Sequence, residues 1–552
     1  MDGPGRSRPN GHHYASALAP VPARVGAGAT SLTGRMCPRE SGHAPRSYVD
    51  TVPSPYRDVA VATGTGPSAE LGRVLDVLLA PELAHIVDLV VWPDGGEIHV
   101  ANSEGHARMS RLDPDAGFTT VEGRNPVENQ DPLHGTPLPA SRADSSPPAA
   151  RNAYPFAARR LLSTFADPER SADLHVVHSA RHHWPERGGH LGEHGSLDAG
   201  QSRAPLVLSG CGIGLRGIAA RAARVIDVGP TLAALAGCPF PDVEGSALTE
   251  FLDGRTPRHV VGLLWDGANS TDLLDLARTG RLPAVARLLE RGGALQGGAV
   301  AEFPSVTLVN HTSALTGVGP GRHGIVGNVY FDRATGQQVL ANDASTWHTA
   351  GDLLRPDVRT VFEVVADAGA LTACVNEPTD RGAGYSTFGL VRSSDSGDGA
   401  RSLQSGLPDP SADPHATQEF VAVDADYAWG TQVDGFGLVQ MQQLFDGDNP
   451  DWPAPPRLTW WNTTLTDSAH HAGGPYSTIA RASLADADRR LGVFLDLLDA
   501  RGLLDETAFL LTADHGSEGA DPTCTGDWDE ALRAAGITFR DEGYAAIYLG
   551  FS

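Results

Sequence analysis

Five acidic and imidazole side chains have the chemistry of metal ligands: Asp266, Asp467, His471, Asp514 and His515. Apolar runs at 260–265 and 507–513 predict two strands, and Asp266 and Asp514 each follow one of them. In open α/β sheets, ligands bind at the edge where such strands end. Zinc takes imidazole nitrogen and carboxylate oxygen, and two adjacent zinc ions need about six such ligands. Side chains of these types are therefore candidates for a metal site.

A hydroxyl group beside a predicted helix start is a second candidate for chemistry. The stretch 303–332 reads FPSVTLVNHTSALTGVGPGRHGIVGNVYFD and contains Thr307 and Asn328. If a helix begins near Thr307, its unpaired backbone N–H groups and positive dipole end favour an anion beside the hydroxyl. A phosphoryl group suits that position. The sequence leaves open the alternative that Thr307 is only an N-cap.

Together these segments resemble the nucleotide pyrophosphatase/phosphodiesterase branch of the alkaline phosphatase superfamily. The family elements F-P-S-x-T-x-x-N-H and H-G-I-x-x-N occur around Thr307 and Asn328. The family's strand-ending aspartate and its D-x-x-x-H-x-x-G-P and T-A-D-H-G elements are matched by the five residues named first. The resemblance implies a hydrolase in which the threonine attacks phosphorus and the asparagine holds a phosphoryl oxygen.

The resemblance also implies two zinc ions in each active site. One zinc ion is expected to be held by Asp266, Asp514, His515 and the Thr307 hydroxyl. The second is expected to be held by Asp467, His471 and a histidine that the family carries near the end of its domain. Attack by the Thr307 oxygen on phosphorus would give a phosphothreonine intermediate, which water then hydrolyses.

No histidine follows His515, so the last ligand must lie elsewhere. The segment GGHLGEHGSL supplies His194 as the candidate and His190 as the runner-up, and the sequence after it resembles the family's closing segment. Residues 58–254 thus resemble the end of the family's domain, and residues 258–552 resemble its beginning and middle. We predict a circularly permuted chain in which 58–552 form one catalytic domain. The alternative is two incomplete domains that complete each other between chains in a homodimer.

The alternation of short β-rich runs with helical patterns predicts an α/β fold like that of alkaline phosphatase, with a largely parallel central sheet flanked by helices on both faces. We predict strands at 87–92, 174–178, 205–209, 260–265 and 507–513, and helices at 228–236, 271–277, 283–291 and 476–498. Residues 1–57 are predicted to be a disordered tail, and residues 113–152 a Pro-rich loop. Residues from about 376 to 456 are predicted to form a loop-rich cap.

Composition excludes several classes of function. The formal charge of −25 disfavours binding to a nucleic acid polymer. The sequence has no lysine, which excludes Schiff-base chemistry and a Walker-type phosphate loop. Its most apolar stretch, 75–92, is interrupted by charged residues too often to span a membrane. Because 1–57 lacks the apolar core of a secretion signal, we expect a cytoplasmic protein.

The expected substrate is a small phosphorylated molecule such as a nucleotide. The cap aromatic residues Tyr385, Phe388, Tyr427 and Trp429 could hold a base or pack the cap. Two alternative activities stay open: phosphomonoester hydrolysis, and cleavage of a carbon–phosphorus bond, since HGIVGNVYFDRATG also resembles phosphonoacetate hydrolases. A third alternative is a non-catalytic, metal-binding relic that serves as a binding protein.

Overall fold

A computed structural model describes residues 69–133, 154–185, 188–393, 425–447, 452, 454–543 and 545–550. The predicted tail at 1–57 lies outside these residues. The strands are β1 (Val87–Asp94), β2 (Glu97–Asn102), β3 (Gly105–Ser110), β4 (Thr119–Gly123), β5 (Leu174–His178), β6 (Gly192–Glu193), β7 (Arg203–Ala204), β8 (Leu206–Gly210), β9 (Gly217–Ala219), β10 (Ala223–Arg224), β11 (His259–Trp265), β12 (Gly292–Leu295), β13 (Ala299–Val300), β14 (Val329–Asp332), β15 (Gln337–Leu340), β16 (Thr372–Val375), β17 (Tyr385–Ser386), β18 (Leu458–Thr463), β19 (Thr507–Thr512), β20 (Glu518–Gly519), β21 (Arg540–Glu542) and β22 (Ala546–Tyr548).

The α-helices are α1 (Ala69–Leu78), α2 (Ala157–Thr164), α3 (Ala199–Ser202), α4 (Val228–Ala236), α5 (Ser270–Arg278), α6 (Pro283–Glu290), α7 (Thr307–Thr316), α8 (Pro320–His323), α9 (Val361–Asp367), α10 (Thr387–Ser393), α11 (Ala425–Asp446), α12 (Leu465–Gly473), α13 (Thr478–Ala500) and α14 (Trp528–Ala534). Short 3₁₀ segments lie at Pro81–Leu83, Pro114–Ala116, Val225–Asp227, Thr249–Phe251, Trp347–Leu353 and Leu504–Glu506.

An eight-stranded sheet positions the candidate site, with the order β17-β16-β18-β11-β19-β8-β12-β9. Strand β11 is parallel to both of its neighbours, with Leu263 opposite Trp461 of β18 and Leu511 of β19. Parallel neighbours end at the same edge of a sheet. Asp266 and Asp514 therefore follow adjacent strands at one rim, and α12 leaves the neighbouring strand β18 at that rim. The predicted α/β fold class is confirmed.

The central strands are buried on both faces, which explains why they read as continuous apolar runs rather than alternating patterns. Every residue of β11, β18 and β19 is buried. Helix α13 presents a stripe of buried apolar side chains to this core: Leu484, Leu491, Phe494, Leu495 and Leu498. The same core cluster includes residues of both segments of the chain, such as Leu208 of β8 and Leu263 of β11.

A second, antiparallel sheet has the order β21-β22-β5-β1-β2-β3-β4. It joins residues 87–178 to the end of the chain, because β22 pairs with β5 through Ala546 and His175. The predicted loop at 113–152 contains the exposed edge strand β4, and its residues 134–152 lie outside the described part of the chain. Within the described ranges, no helix has the length and apolarity needed to cross a bilayer.

The segment predicted as a loop-rich cap contains the 22-residue helix α11. Three glycines, at 430, 435 and 437, weaken the helical signal there by roughly 1 kcal/mol each relative to alanine. Tertiary packing outweighs this cost, because one side of the helix is buried. Its buried apolar side chains are Val433, Leu438, Met441, Leu444 and Phe445. Cap residues 394–424 lie outside the described residues.

Candidate functional site

A tight turn after β11 brings three of the predicted ligands together. Gly267 has φ +62°, and a Cβ atom there would lie 2.5 Å from Asp467 Oδ1, so only glycine allows this approach. The Gly267 N–H also donates to Asp514 Oδ1 at 3.0 Å. The turn that follows Asp266 is thus tied to the acids of α12 and of the loop after β19.

The first cluster of side chains consists of His194, Asp467 and His471. His194 Nε2 lies 3.2 Å from His471 Nε2 and 3.9 Å from Asp467 Oδ1. The Nδ1 atom of His194 lies 3.1 Å from the Ser305 carbonyl oxygen, and that of His471 lies 2.8 Å from the Gly192 carbonyl oxygen. These carbonyls hold a proton on Nδ1, so Nε2 is the nitrogen that each ring can offer to a metal ion once it is deprotonated.

The second cluster contains Asp266, Asp514 and His515. His515 Nε2 lies 3.0 Å from Asp514 Oδ2 and 3.9 Å from Asp266 Oδ1. Its ring stacks on that of His194 with centroids 3.7 Å apart, so the two clusters adjoin. The structure thus brings together all six side chains, other than Thr307, that the sequence predicted as ligands, and His194 lies beside Asp467 and His471 of its own chain.

Burial and neighbouring charges shift the pKa values of the second cluster in different directions. Burial raises the pKa of Asp266 to about 8, and the neighbouring Asp514 and Asp467 add to the shift. Burial alone would raise the pKa of Asp514, but the His515 ring outweighs it and lowers the value to about 2. Burial disfavours the charged form of His515, yet Asp514 raises its pKa to about 9.

In the first cluster, too, burial and neighbouring charges shift the pKa values in different directions. Burial disfavours the charge on His471, but Asp467 overcomes this and raises the pKa of His471 to about 10. Burial acts against the Asp467 carboxylate, but His471 outweighs it and lowers the pKa of Asp467 well below its usual range. Burial, reinforced by His515, lowers the pKa of His194, which favours the neutral imidazole that a metal ion requires.

The donor set fits metal ions. Buried atoms without a hydrogen-bond partner among the described residues include Asp266 Oδ1, Asp514 Oδ2 and His515 Nε2. Leaving such atoms unpaired in the interior is costly, and three carboxylates at one place repel each other. Cations between the two clusters would remove both costs. Imidazole and carboxylate in this mixture are ligands that zinc accepts.

Thr307 is the first residue of α7, as the sequence predicted. The N-cap of this helix is Val306, and no side chain caps it, so Thr307 does not act as an N-cap. The Leu308 N–H donates to Asn328 Oδ1 at 3.0 Å. This amide N–H of the helix end is therefore occupied by Asn328, and the Asn328 NH₂ group is the part of that side chain left to donate to an anion.

A pocket opens beside Thr307 and Asp266. Its aromatic wall is formed by Trp347, Phe388, Trp429 and Phe436. The rings of Trp347 and Trp429 lie 5.5 Å apart, and Leu308 and Asn342 also line the pocket. Tyr385 packs instead against Trp452, and the side chain of Tyr427 lies outside the described atoms. The pocket thus places aromatic rings, with Trp347 and Trp429 tilted by 39° to each other, beside the Thr307 hydroxyl and Asp266.

Three residues near the site were not predicted from the sequence: His311, Glu377 and Trp347. His311 is four residues after Thr307 on α7, and it forms a further candidate metal-binding group with Asp266 and Asp514. That i, i+4 spacing, the same as between Asp467 and His471, could have indicated it. Nothing local marks Glu377 or Trp347, because their positions depend on tertiary packing.

His190, the runner-up for the sixth ligand, lies at the border of the first cluster. Its ring centroid is 4.2 Å from that of His471, and its side chain is 42% exposed. His190 forms a candidate group with Glu193 and His471. Since the Nδ1 of His471 is committed to Gly192, its Nε2 can serve either this group or the one with His194, which is the more buried.

Comparison with known proteins identifies the family. Residues 260–551, more than half of the chain, match the family described as type I phosphodiesterase / nucleotide pyrophosphatase. The chain belongs to this family. The resemblance read from the sequence is thereby confirmed, and the matched span contains every predicted site residue except His194. The predicted circular permutation is not tested by this match and stays a prediction.

Three individual proteins resemble parts of this chain. An uncharacterized pyrophosphatase/phosphodiesterase of Schizosaccharomyces pombe is 40% identical over 58 residues, which are 10% of this chain and 12% of that protein. Phosphonoacetate hydrolase of Sinorhizobium meliloti is 26% identical, with 48% of this chain and 57% of that chain covered and a TM-score of 0.31. Murine ectonucleotide pyrophosphatase/phosphodiesterase 5 is 17% identical, with 47% and 57% covered and a TM-score of 0.31. The chain thus matches 12% of the length of the first of these relatives and 57% of the length of each of the other two.

Proposed function

We propose that this chain is a two-zinc hydrolase of phosphate esters or anhydrides, of the phosphodiesterase/nucleotide pyrophosphatase type, that acts through a phosphothreonine intermediate. The observation that carries the proposal is the position of His194, whose Nε2 lies 3.2 Å from His471 Nε2. It adds the missing ligand to a set whose other members come from the family's own motifs. Membership of the family supports the reaction class.

We assign one zinc ion to Asp266, Asp514, His515 and Thr307, and the other to Asp467, His471 and His194. When bound, two zinc ions neutralise charge that develops on the phosphoryl group and lower the pKa of a coordinated hydroxyl. Thr307 lines the aromatic pocket, where its oxygen forms a bond to phosphorus as the bond to the leaving group breaks. Water then cleaves the phosphothreonine bond and regenerates the hydroxyl.

Asn328 has two roles in this proposal. Its carbonyl oxygen accepts from the Leu308 N–H, which fixes the amide against the start of α7. Its NH₂ group then donates to a nonbridging phosphoryl oxygen, where negative charge increases in the transition state. The aromatic wall formed by Trp347, Phe388 and Trp429 receives the leaving alcohol or a base, so we propose an aryl or nucleotide substrate.

The segment 58–254 completes this active site in the permuted arrangement that we propose. Strand β8 lies beside β19 in the central sheet, with Leu208 opposite Leu510, and the loop before α3 carries His194. One chain can therefore supply every ligand. The disordered tail at 1–57, the cytoplasmic location and a homodimer stay predictions.

The test is a panel assay of zinc-loaded protein on bis-p-nitrophenyl phosphate, a phosphomonoester, a nucleoside triphosphate and phosphonoacetate. We expect the diester or the triphosphate to be hydrolysed fastest. Thr307→Ala should lower turnover by at least about 10³-fold while zinc stays largely bound, and Thr307→Ser should retain measurable turnover because it keeps the hydroxyl. Cleavage of phosphonoacetate alone would assign the alternative carbon–phosphorus chemistry. Bound zinc without any hydrolysis would favour the non-catalytic relic.

A further inference from the structure

His311 is a buried side chain for which the proposed mechanism has no role. Its side chain is 2% exposed, and its ring lies between two groups of acids. Nδ1 lies 2.9 Å from Glu377 Oε2, while Nε2 lies 3.6 Å from Asp266 Oδ2 and 3.7 Å from Asp514 Oδ2. The two carboxylates that face Nε2 belong to Asp266 and Asp514, which are assigned to the same zinc ion as Thr307.

The distances at Nε2 do not suit hydrogen bonds but do suit a shared metal ion. A hydrogen bond from an imidazole N–H to a carboxylate spans about 2.7–3.2 Å, and both contacts exceed this. Two ligand atoms at about 2.0–2.2 Å from one tetrahedral zinc ion are roughly 3.3–3.5 Å apart. The separations of 3.6 and 3.7 Å lie close to that edge length. Among the described residues, Asp514 Oδ2 and both ring nitrogens of His311 have no hydrogen-bond partner.

Glu377 makes an ion-pair contact of 2.9 Å with Nδ1 of His311, although the angle there is not that of a hydrogen bond. This carboxylate is fully buried and is fixed by the Trp460 N–H, which donates to Oε2 at 3.1 Å, and by the Thr379 N–H, which donates to Oε1 at 2.9 Å. Its Oε2 faces Nδ1 of His311. Metal-binding histidines commonly donate their second ring N–H to a carboxylate, which fixes the tautomer and increases the basicity of the other nitrogen. The Nε2 lone pair then faces Asp266 and Asp514.

We propose that His311 binds, through Nε2, the zinc ion that Asp266 and Asp514 hold. The inference rests on the proposed function for the presence of that ion, and it adds a fifth protein side chain to Asp266, Asp514, His515 and Thr307, a number that zinc accepts when its coordination expands from four to five. It makes the two metal positions unequal. The side chains of Asp266, His311 and Asp514 are 0–8% exposed, whereas those of His194, Asp467 and His471 are 11–20% exposed. A chelator should therefore remove the zinc ion at the His194 position first.

The direct test is a crystal structure of the zinc-loaded full chain, with zinc located by anomalous scattering. A Zn–Nε2 distance of about 2.0–2.1 Å at His311 supports the proposal. A zinc ion bound to Asp266 and Asp514 but more than about 3 Å from that nitrogen overturns it and leaves the proposed function intact. A chain without zinc at these acids, which also fails to hydrolyse any substrate of the panel, overturns both.

Two variants give an independent readout through zinc affinity, measured by competition with a chelator. Loss of a direct ligand in His311→Ala should weaken zinc at the Asp266 position by more than about 100-fold and leave the His194 position unchanged. Glu377→Gln keeps an acceptor for the Nδ1 proton, and loss of such an outer partner costs about 10- to 100-fold. Equal losses in the two variants, or an unchanged affinity in His311→Ala, would contradict direct ligation.

Discussion

Zinc binding at neutral pH should release protons from the metal-free protein. Three of the ligands assigned under the proposed function carry a proton at pH 7 that a metal ion must displace. Burial and the neighbouring acids raise the pKa of Asp266 to about 8, and nearby carboxylates overcome burial to raise the pKa of His515 to about 9 and that of His471 to about 10. Burial disfavours the charge on His311 as well, but Glu377 and the other acids around it raise its pKa well above the usual value, so a fourth proton leaves if His311 binds the ion. The experiment adds zinc to protein from which a chelator has removed the metal.

The number of protons follows from these values. At pH 7 a group with a pKa of about 8 is roughly nine-tenths protonated, and the two histidines are almost fully protonated. Asp467 and Asp514 are already ionised and His194 is neutral, since their pKa values are lowered. Filling both positions should therefore release about three protons from these groups, and about four if His311 is also a ligand. By linkage, the product of the two zinc association constants should rise about 10³-fold per pH unit between pH 6 and 7, or about 10⁴-fold if His311 also binds.

Isothermal titration calorimetry measures this number directly. Zinc is titrated into metal-free protein at pH 7 in buffers with different ionisation enthalpies, and the slope of observed enthalpy against buffer enthalpy gives the protons released. Asp521→Asn is a suitable control, because hydrogen bonds from Thr523 and Arg181 lower the pKa of that partly exposed acid to about 2 and it carries no proton to lose. Release of one proton or fewer by the wild-type chain would refute the electrostatic account of the site.

Three further changes test separate parts of the structure. Asn328→Asp keeps the acceptor for the Leu308 N–H but lacks the NH₂ donor, so kcat should fall about 10²–10³-fold while the melting temperature stays near that of the wild type. Gly437→Ala should destabilise the fold by about 1–3 kcal/mol in urea unfolding, since its Cβ would lie 2.5 Å from a buried amide nitrogen, whereas Gly72→Ala, which meets nothing within 4 Å in its helix, should stabilise it slightly. Trp429→Ala should raise KM for bis-p-nitrophenyl phosphate about 3- to 10-fold, through loss of aromatic contact, with a smaller effect on a methyl ester; equal effects on both would argue against an aryl-binding wall.

The sequence predicted the elements whose patterns are local. Buried parallel strands read as apolar runs, so β11 and β19 were located to within one residue, and helix α4 was located at its observed bounds. The family motifs located most of the candidate site for a different reason. Each motif consists of residues that the reaction requires, so it can be found in the sequence without knowledge of the fold.

Other features could not be predicted because they depend on distant packing. Helix α11 contains three glycines, and only burial of its apolar side against the core compensates for them. Glu377 and Trp347 reach the site from segments that carry no motif. His311 was missed although it lies in a quoted motif, because its spacing from Thr307 was not considered. His194 was placed from the resemblance of its flanking sequence rather than from any property of the residue itself.

The zinc content of His194→Gln tests the central claim most directly, because the paired-metal centre depends on this residue from the first segment of the chain. Zinc per chain is measured by inductively coupled plasma mass spectrometry after dialysis against a weak chelator, with His190→Gln as the matched control. We predict two zinc ions for the wild type, two for His190→Gln and one for His194→Gln. Two tightly held zinc ions in His194→Gln would contradict the account.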